Sequence, residues 1–256
     1  MSGGLPQFVR RRLDPAERYG LRLTLYAMAI VLVAVPFSTL VFQVMAGGPL
    51  TRLDGTVANR LNGAVHGSPG LVRVLDVVSW LGKPLLLGVV VAIVGVFVFW
   101  RGRRRLALYL VVTVVVGGLV DSAIKILVNR PRPVVDHPIA TALGKSFPSG
   151  HAMSSTITYG AVFLALLPAL TPALRRVALG ATIALVLVIG CSRLLLGVHF
   201  LSDVVGGYIL GLAWLAASTA AFEIWRTERG EPAAEPLTEG VEPEAGPVLR
   251  GDSQSA

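Results

Sequence analysis

Long apolar runs alternate with short polar segments along this chain, and the lengths of the runs carry the first inference. Apolar stretches occupy about 21–44, 84–100, 106–128, 149–167, 177–191 and 203–222. A helix needs about 20 apolar residues to cross a bilayer, and several of these runs reach that length. The pattern predicts an all-α, polytopic membrane protein with six transmembrane helices and short loops. Residues 1–20 form a polar leader with Arg10, Arg11, Arg12 and Arg18. The run that follows is too long for a signal h-region and reads as a retained first span. Within 45–82, Leu50, Leu53, Val57 and Leu61 recur at helical spacing against Arg52, Asp54, Asn59 and Arg60. That amphipathic stretch predicts an interfacial helix, read as a connector rather than a lid. Residues 226–256 are rich in Pro, Glu and Ala, with few large apolar side chains. They are expected to be a disordered, solvated acidic tail, leaving 21–225 as the membrane domain.

Composition agrees with the pattern. Hydrophobic residues make up 54% and charged residues 15%, against about 25% charged in a soluble domain. Mean hydropathy is +0.69. These values exclude a disordered chain and disfavour a soluble globule. The net charge of +8 would suggest nucleic acid on a soluble protein. Here the charges lie between apolar runs, where they set topology and attract anionic lipid, so no nucleic acid partner is expected. With the N-terminus inside, segments 1–22, 101–105, 168–176 and 226–256 carry fourteen of the 23 Lys and Arg residues, and the other side carries nine. The bias predicts a multi-pass protein of the cell membrane with both termini cytoplasmic. Cys191 is the single cysteine, so no internal disulfide forms.

The cations on the opposite side are concentrated in segments that topology does not need. Lys125 and Arg132 flank the end of the third run; Pro148-Ser149-Gly150-His151 opens the fourth; Ser192-Arg193 and His199 through Asp203 join the fifth to the sixth. All three segments fall at one membrane face, which is extracytoplasmic in this topology. Two histidines, three cations, a carboxylate and a glycine-containing helix start suit phosphoryl chemistry, where catalysis is mostly positioning and electrostatic stabilisation. Arg132 and Arg193 offer planar forks and Lys125 a point charge. Ser149 reads as an N-cap with free N–H groups behind it, and Gly150 allows close backbone approach. His199 and Asp203 are four apart, one helical turn. A carboxylate on one imidazole nitrogen fixes the tautomer and frees the other nitrogen to attack. His151 remains to protonate a leaving group.

These segments satisfy all eleven positions of the signature K-x6-R-P, P-S-G-H and S-R-x5-H-x3-D. The chain thereby resembles the type 2 phosphatidic acid phosphatase superfamily, over 125–203 by motif and about 21–222 by layout. The resemblance implies a metal-independent membrane phosphatase without cofactor, acting on a membrane lipid such as phosphatidate, phosphatidylglycerophosphate or undecaprenyl diphosphate. It implies that His199 is the nucleophile that forms a phosphohistidine. It makes Asp203 the residue that orients His199, and His151 the general acid. Lys125, Arg132, Ser149, Gly150 and Arg193 would hold the phosphate. Alternatives are phosphotransfer to a lipid acceptor, a soluble phosphoester or a vanadate-dependent peroxidase reaction, and a non-catalytic lipid-binding or transport role.

Other residues receive plainer readings. Asp121 precedes Lys125 by one turn and is expected to pair with it from a second layer. Arg130 lies outside the signature, and of two readings, help in binding a second phosphate or a solvated loop residue, the second is preferred. Gly207 and Gly211 form a small-xxx-small step for close helix packing. His66 and His137 have no visible partner set. No H-E-x-x-H or paired C-x-x-C spacing suggests a metal.

Overall fold

Proline opens five of the helices, at Pro49, Pro69, Pro84, Pro172 and Pro236, where its missing N–H is one that a first turn leaves unbonded anyway. The computed structural model describes residues 34–251. Among these the regular structure is entirely helical. The α-helices are α1 (Ala34–Met45), α2 (Pro49–Val65), α3 (Pro69–Trp80), α4 (Pro84–Trp100), α5 (Arg104–Val128), α6 (Gly150–Leu166), α7 (Pro172–Leu195), α8 (Leu201–Thr227), α9 (Pro236–Glu239) and α10 (Gly246–Arg250). The leader 1–20 and the first part of the expected first span lie outside the described residues.

Among the described residues, α5, α6 with its 3₁₀ extension to Ala169, α7 and α8 are long and apolar enough to cross a membrane. Two bent pairs, α1 with α2 at 81° and α3 with α4 at 46°, pass the same test jointly. The described residues thus hold four candidate spans, or up to six if each bent pair counts as one. Large apolar side chains such as Leu85, Ile93, Val115, Leu119, Ile126, Val177 and Ile183 face outward, as lipid-facing positions require.

Helix α6 is the most enclosed of the long helices and packs chiefly on α8. Glycine sets that approach. A methyl on Gly207 would lie 2.7 Å from the Ser149 carbonyl oxygen, and one on Gly211 would lie 2.9 Å from Thr156 Cβ. The small-residue step read from sequence is thus a helix contact.

Two expectations need correction here. The amphipathic reading of helix α2 puts the wrong side inward at Asp54 and Leu53. The helix packs against α7 and α8 with Asp54, Ala58, Asn62 and Val65 buried, whereas Leu53 faces outward. In a membrane-facing bundle the small and polar side chains can be the ones turned inward. The segment after Thr227 is also not structureless through Gly251. Val241, Ala245 and Leu249 join a core cluster with Leu106, Tyr109, Leu110, Leu164 and Phe222. Its glutamates meet arginines: Glu242 with Arg103 at 3.1 Å, Glu231 with Arg105 at 2.6 Å, and Glu244 with Arg226 at 2.8 Å. Burial pushes the Glu242 carboxyl upward. Few apolar residues suffice because they are spaced to reach one site and paired charges cover the rest.

Candidate active site

The signature segments converge at the end of the bundle where α5 and α7 finish and α6 and α8 begin, opposite the end bound by the C-terminal segment. Lys125, in the last turn of α5, donates to Asp121 at 2.5 Å, as the one-turn spacing predicts. This pair presses on the start of α6: a methyl on Gly150 would lie 3.1 Å from Lys125 Nζ and 3.2 Å from Asp121 Oδ2. Glycine there lets the pair sit close without having to shift. Ser149 occupies the N-cap position of α6 as expected, but its side chain makes no capping bond. Its backbone N–H instead donates to the Asp203 carbonyl at 2.9 Å, fastening the start of α6 to the start of α8.

His199 lies in the turn between α7 and α8 and is buried. Arg132 Nη1 contacts His199 Nε2 at 3.1 Å. A guanidinium can only donate, so Nε2 carries the lone pair and the ring proton sits on Nδ1. Nδ1 faces Asp203 Oδ2 at 3.4 Å. Burial lowers the His199 pKa to about 4, with the hydrogen bond to Asp203 opposing the shift. The imidazole is therefore neutral at neutral pH. Arg132 is fixed by the carbonyls of Val198 and Leu143, both at 2.9 Å, and of Gly144 at 3.2 Å. Partial burial lowers its pKa too, and a guanidinium so shifted stays charged at neutral pH.

Asp203 is held by more than the histidine. Its Oδ2 also accepts the Phe200 N–H at 2.8 Å and the Ser146 hydroxyl. Its Oδ1 accepts Arg130 Nη1 at 2.6 Å. Arg130 is buried rather than solvated, correcting the sequence reading. It also donates to Ser202 Oγ at 2.7 Å and to Asp54 Oδ2 at 2.8 Å, with the Phe200 ring 4.1 Å from its Cζ. Asp54 is fully buried and accepts the Ser202 N–H at 3.0 Å and the Ser202 hydroxyl. Asp54, Ser146 and Ser202 belong to the site, and sequence reasoning missed them. The available signal was Asp54 at one register with Ala58, Asn62 and Val65, a face of small and polar residues.

Arg193, near the end of α7, is buried and donates through Nη1 to the Ser79 hydroxyl on α3. Its Nε, together with Ser149 Oγ and His151 Nε2, is buried with no hydrogen-bond partner among the described residues. Unmade bonds of buried polar groups are costly. A hydroxyl, an imidazole and a guanidinium from three segments match an anion rich in oxygen. Among the described residues no three His, Cys, Asp or Glu side chains form a group that could hold a metal ion. His66 and His137 stack with ring centroids 4.0 Å apart and line a separate pocket whose wall includes neither His151 nor His199.

The PAP2 superfamily profile matches residues 106–226, which contain every signature position. Phosphatidylglycerophosphatase B of Bacillus subtilis is 33% identical over 147 residues, covering 56% of this chain and 71% of that protein. The chain belongs to the PAP2 superfamily. Decaprenylphosphoryl-5-phosphoribose phosphatase of Mycobacterium tuberculosis is 33% identical over 165 residues, covering 62% of this chain and 85% of that one. The crystal structure of a transmembrane PAP2 type phosphatidylglycerolphosphate phosphatase from Bacillus subtilis matches with a TM-score of 0.70. At 24% identity it covers 76% of this chain and 96% of that one, so it establishes the shared fold. This PAP2 member is thus a multi-pass membrane phosphatase of a lipid-phosphatase family.

Proposed function

We propose that this PAP2 phosphatase removes a phosphoryl group from a membrane lipid without a metal, through a phosphohistidine on His199. In this reading Nε2 of neutral His199 attacks phosphorus as the bond to the leaving oxygen breaks. His151 protonates that oxygen. His151 then takes a proton from water, which attacks phosphorus, breaks the P–N bond and releases inorganic phosphate. Lys125, Arg132, Arg193, the Ser149 hydroxyl and the start of α6 at Gly150 stabilise the equatorial oxygens. Asp203 holds the Nδ1 proton and stabilises the imidazole as it bonds to phosphorus.

The observation that carries this reading is the His199 tautomer. The Nε2 lone pair lies beside Arg132, while Ser149 Oγ, His151 Nε2 and Arg193 Nε wait unpartnered at the same end of the bundle. Arg132 occupies Nε2 until a phosphate draws its guanidinium away. The face we assign to the site is extracytoplasmic. Arg101, Arg103, Arg104, Arg105, Arg175, Arg176 and Arg226 cluster at the opposite end, as cytoplasmic positive charge requires. The substrate is phosphatidate, phosphatidylglycerophosphate or undecaprenyl diphosphate.

Phosphate release by the purified protein in detergent, with EDTA present, tests this directly. Lipid hydrolysis that is inhibited by vanadate and absent in His199→Ala supports the proposal. Activity lost in EDTA and restored by Mg²⁺ refutes the metal-free mechanism.

A further inference from the structure

A cavity of about 620 Å³ opens beside the site, with His151 and Arg193 on its inner wall. Its outer wall is one face of α3, where Arg73, Asp76, Val77 and Trp80 recur at helical spacing; Lys83 follows in the next turn. That turn abuts the histidine, since a methyl on Gly82 would lie 3.1 Å from His151 Cδ2. The lining thus sets three cations against one carboxylate. Arg73 and Lys83 are exposed to the opening, and neither forms an ion pair or hydrogen bond among the described residues.

An in-line displacement places the leaving group opposite the nucleophile. His199 is not on the cavity wall, whereas His151, the group that protonates the leaving oxygen, is. The leaving group therefore departs into this cavity. An uncharged diacylglycerol gains nothing from two unpaired cations there. A leaving group that keeps a phosphoryl charge gains from both.

We propose that this cavity is a leaving-group subsite in which Arg73 and Lys83 recognise a second anionic phosphoryl group, so that the preferred substrates are lipids carrying two phosphates. The inference rests on the roles given above to His199 and His151. The chemistry is shared by phosphatidylglycerophosphate, whose leaving group keeps a phosphodiester, and by a polyprenyl diphosphate, whose leaving group keeps a phosphate. Phosphatidate lacks it.

The test compares kcat/KM for these three lipids in detergent. The proteins are wild type, Arg73→Gln, Lys83→Gln, the double variant and Lys83→Arg. The expected wild type favours one or both two-phosphate lipids. The ratio of kcat/KM for that lipid to kcat/KM for phosphatidate falls about fivefold for each charge removed, mostly through KM, and Lys83→Arg restores it. The lipid with the larger shift identifies which two-phosphate arrangement fits. A ratio unmoved in every variant, an equal loss on all lipids, or a wild type that favours phosphatidate overturns the subsite. A wild type that hydrolyses none of the three overturns the phosphatase reading itself, and the subsite with it.

Discussion

Arg130 donates to Asp203 Oδ1 at 2.6 Å, whereas 3.4 Å separates Asp203 Oδ2 from His199 Nδ1. The carboxylate is therefore aimed at the histidine mainly by partners other than the histidine. Arg130 is itself braced by Asp54 from α2. The chain of contacts runs from a helix outside the signature to His199, through buried charges whose cost is met only while all remain paired.

Arg130→Met should lower kcat by about 10- to 100-fold with little change in KM. It should also destabilise the fold by about 3–5 kcal/mol, because Asp54 and Asp203 lose a shared counter-charge. Arg130→Lys should recover much of the stability and less of kcat, since an ammonium lacks the fork that spans both carboxylates. Steady-state kinetics beside thermal melts in detergent separate the two effects. Wild-type kcat in a folded Arg130→Met protein would show that Asp203 needs no such brace.

The His199 pKa ties stability to pH. It falls from the ordinary imidazole value near 6.5 to about 4 in the fold, so the unfolded chain binds the extra proton first. Stability from this group is therefore fully present above about pH 6.5 and is lost as pH falls toward about 4. Melting temperature should drop across that window, and the drop should shrink in His199→Gln. An unchanged slope in the variant would place the titrating group elsewhere.

His151→Ala should slow hydrolysis of a lipid alkyl phosphate by about 10²- to 10⁴-fold, the usual worth of a general acid. Release of nitrophenol from an aryl phosphate in the first turnover, before the phosphohistidine must be hydrolysed, should suffer far less, because nitrophenolate leaves without a proton. Equal losses on both substrates would remove His151 from the acid role.

The signature residues were legible because phosphoryl chemistry fixes their types and spacings. Lys125, Arg132, Ser149, Arg193, His199 and Asp203 come together as the sequence suggested. Their supports were not legible. Asp54 reaches Arg130 across 76 positions, and Ser79 reaches Arg193 across 114. Only the packing of α2 and α3 against the later helices creates those pairs. Hydrophobic patterning also misled at α2 and at the C-terminal segment. Apolar periodicity marks an inward face in water, whereas a lipid-facing bundle can turn Leu53 out and Asp54 in.

The C-terminal segment offers a separate check. Leu249 is buried with Leu106 and Leu164 at the end away from His199. Leu249→Ala should cost about 2–5 kcal/mol, seen as a lower melting temperature, while kcat/KM of the folded protein stays at the wild-type level. A large fall in kcat/KM without loss of stability would reveal coupling between the two ends.

The central claim is covalent catalysis by His199, and alkaline-quenched peptide mapping tests it most directly. His151→Ala, mixed with an aryl phosphate, forms the intermediate without an acid but lacks the base that hydrolyses it. The expected result is a burst of nitrophenol matching the enzyme concentration and phosphate on the peptide that carries His199. Turnover with no phosphopeptide, or with phosphate on another residue, would contradict the mechanism.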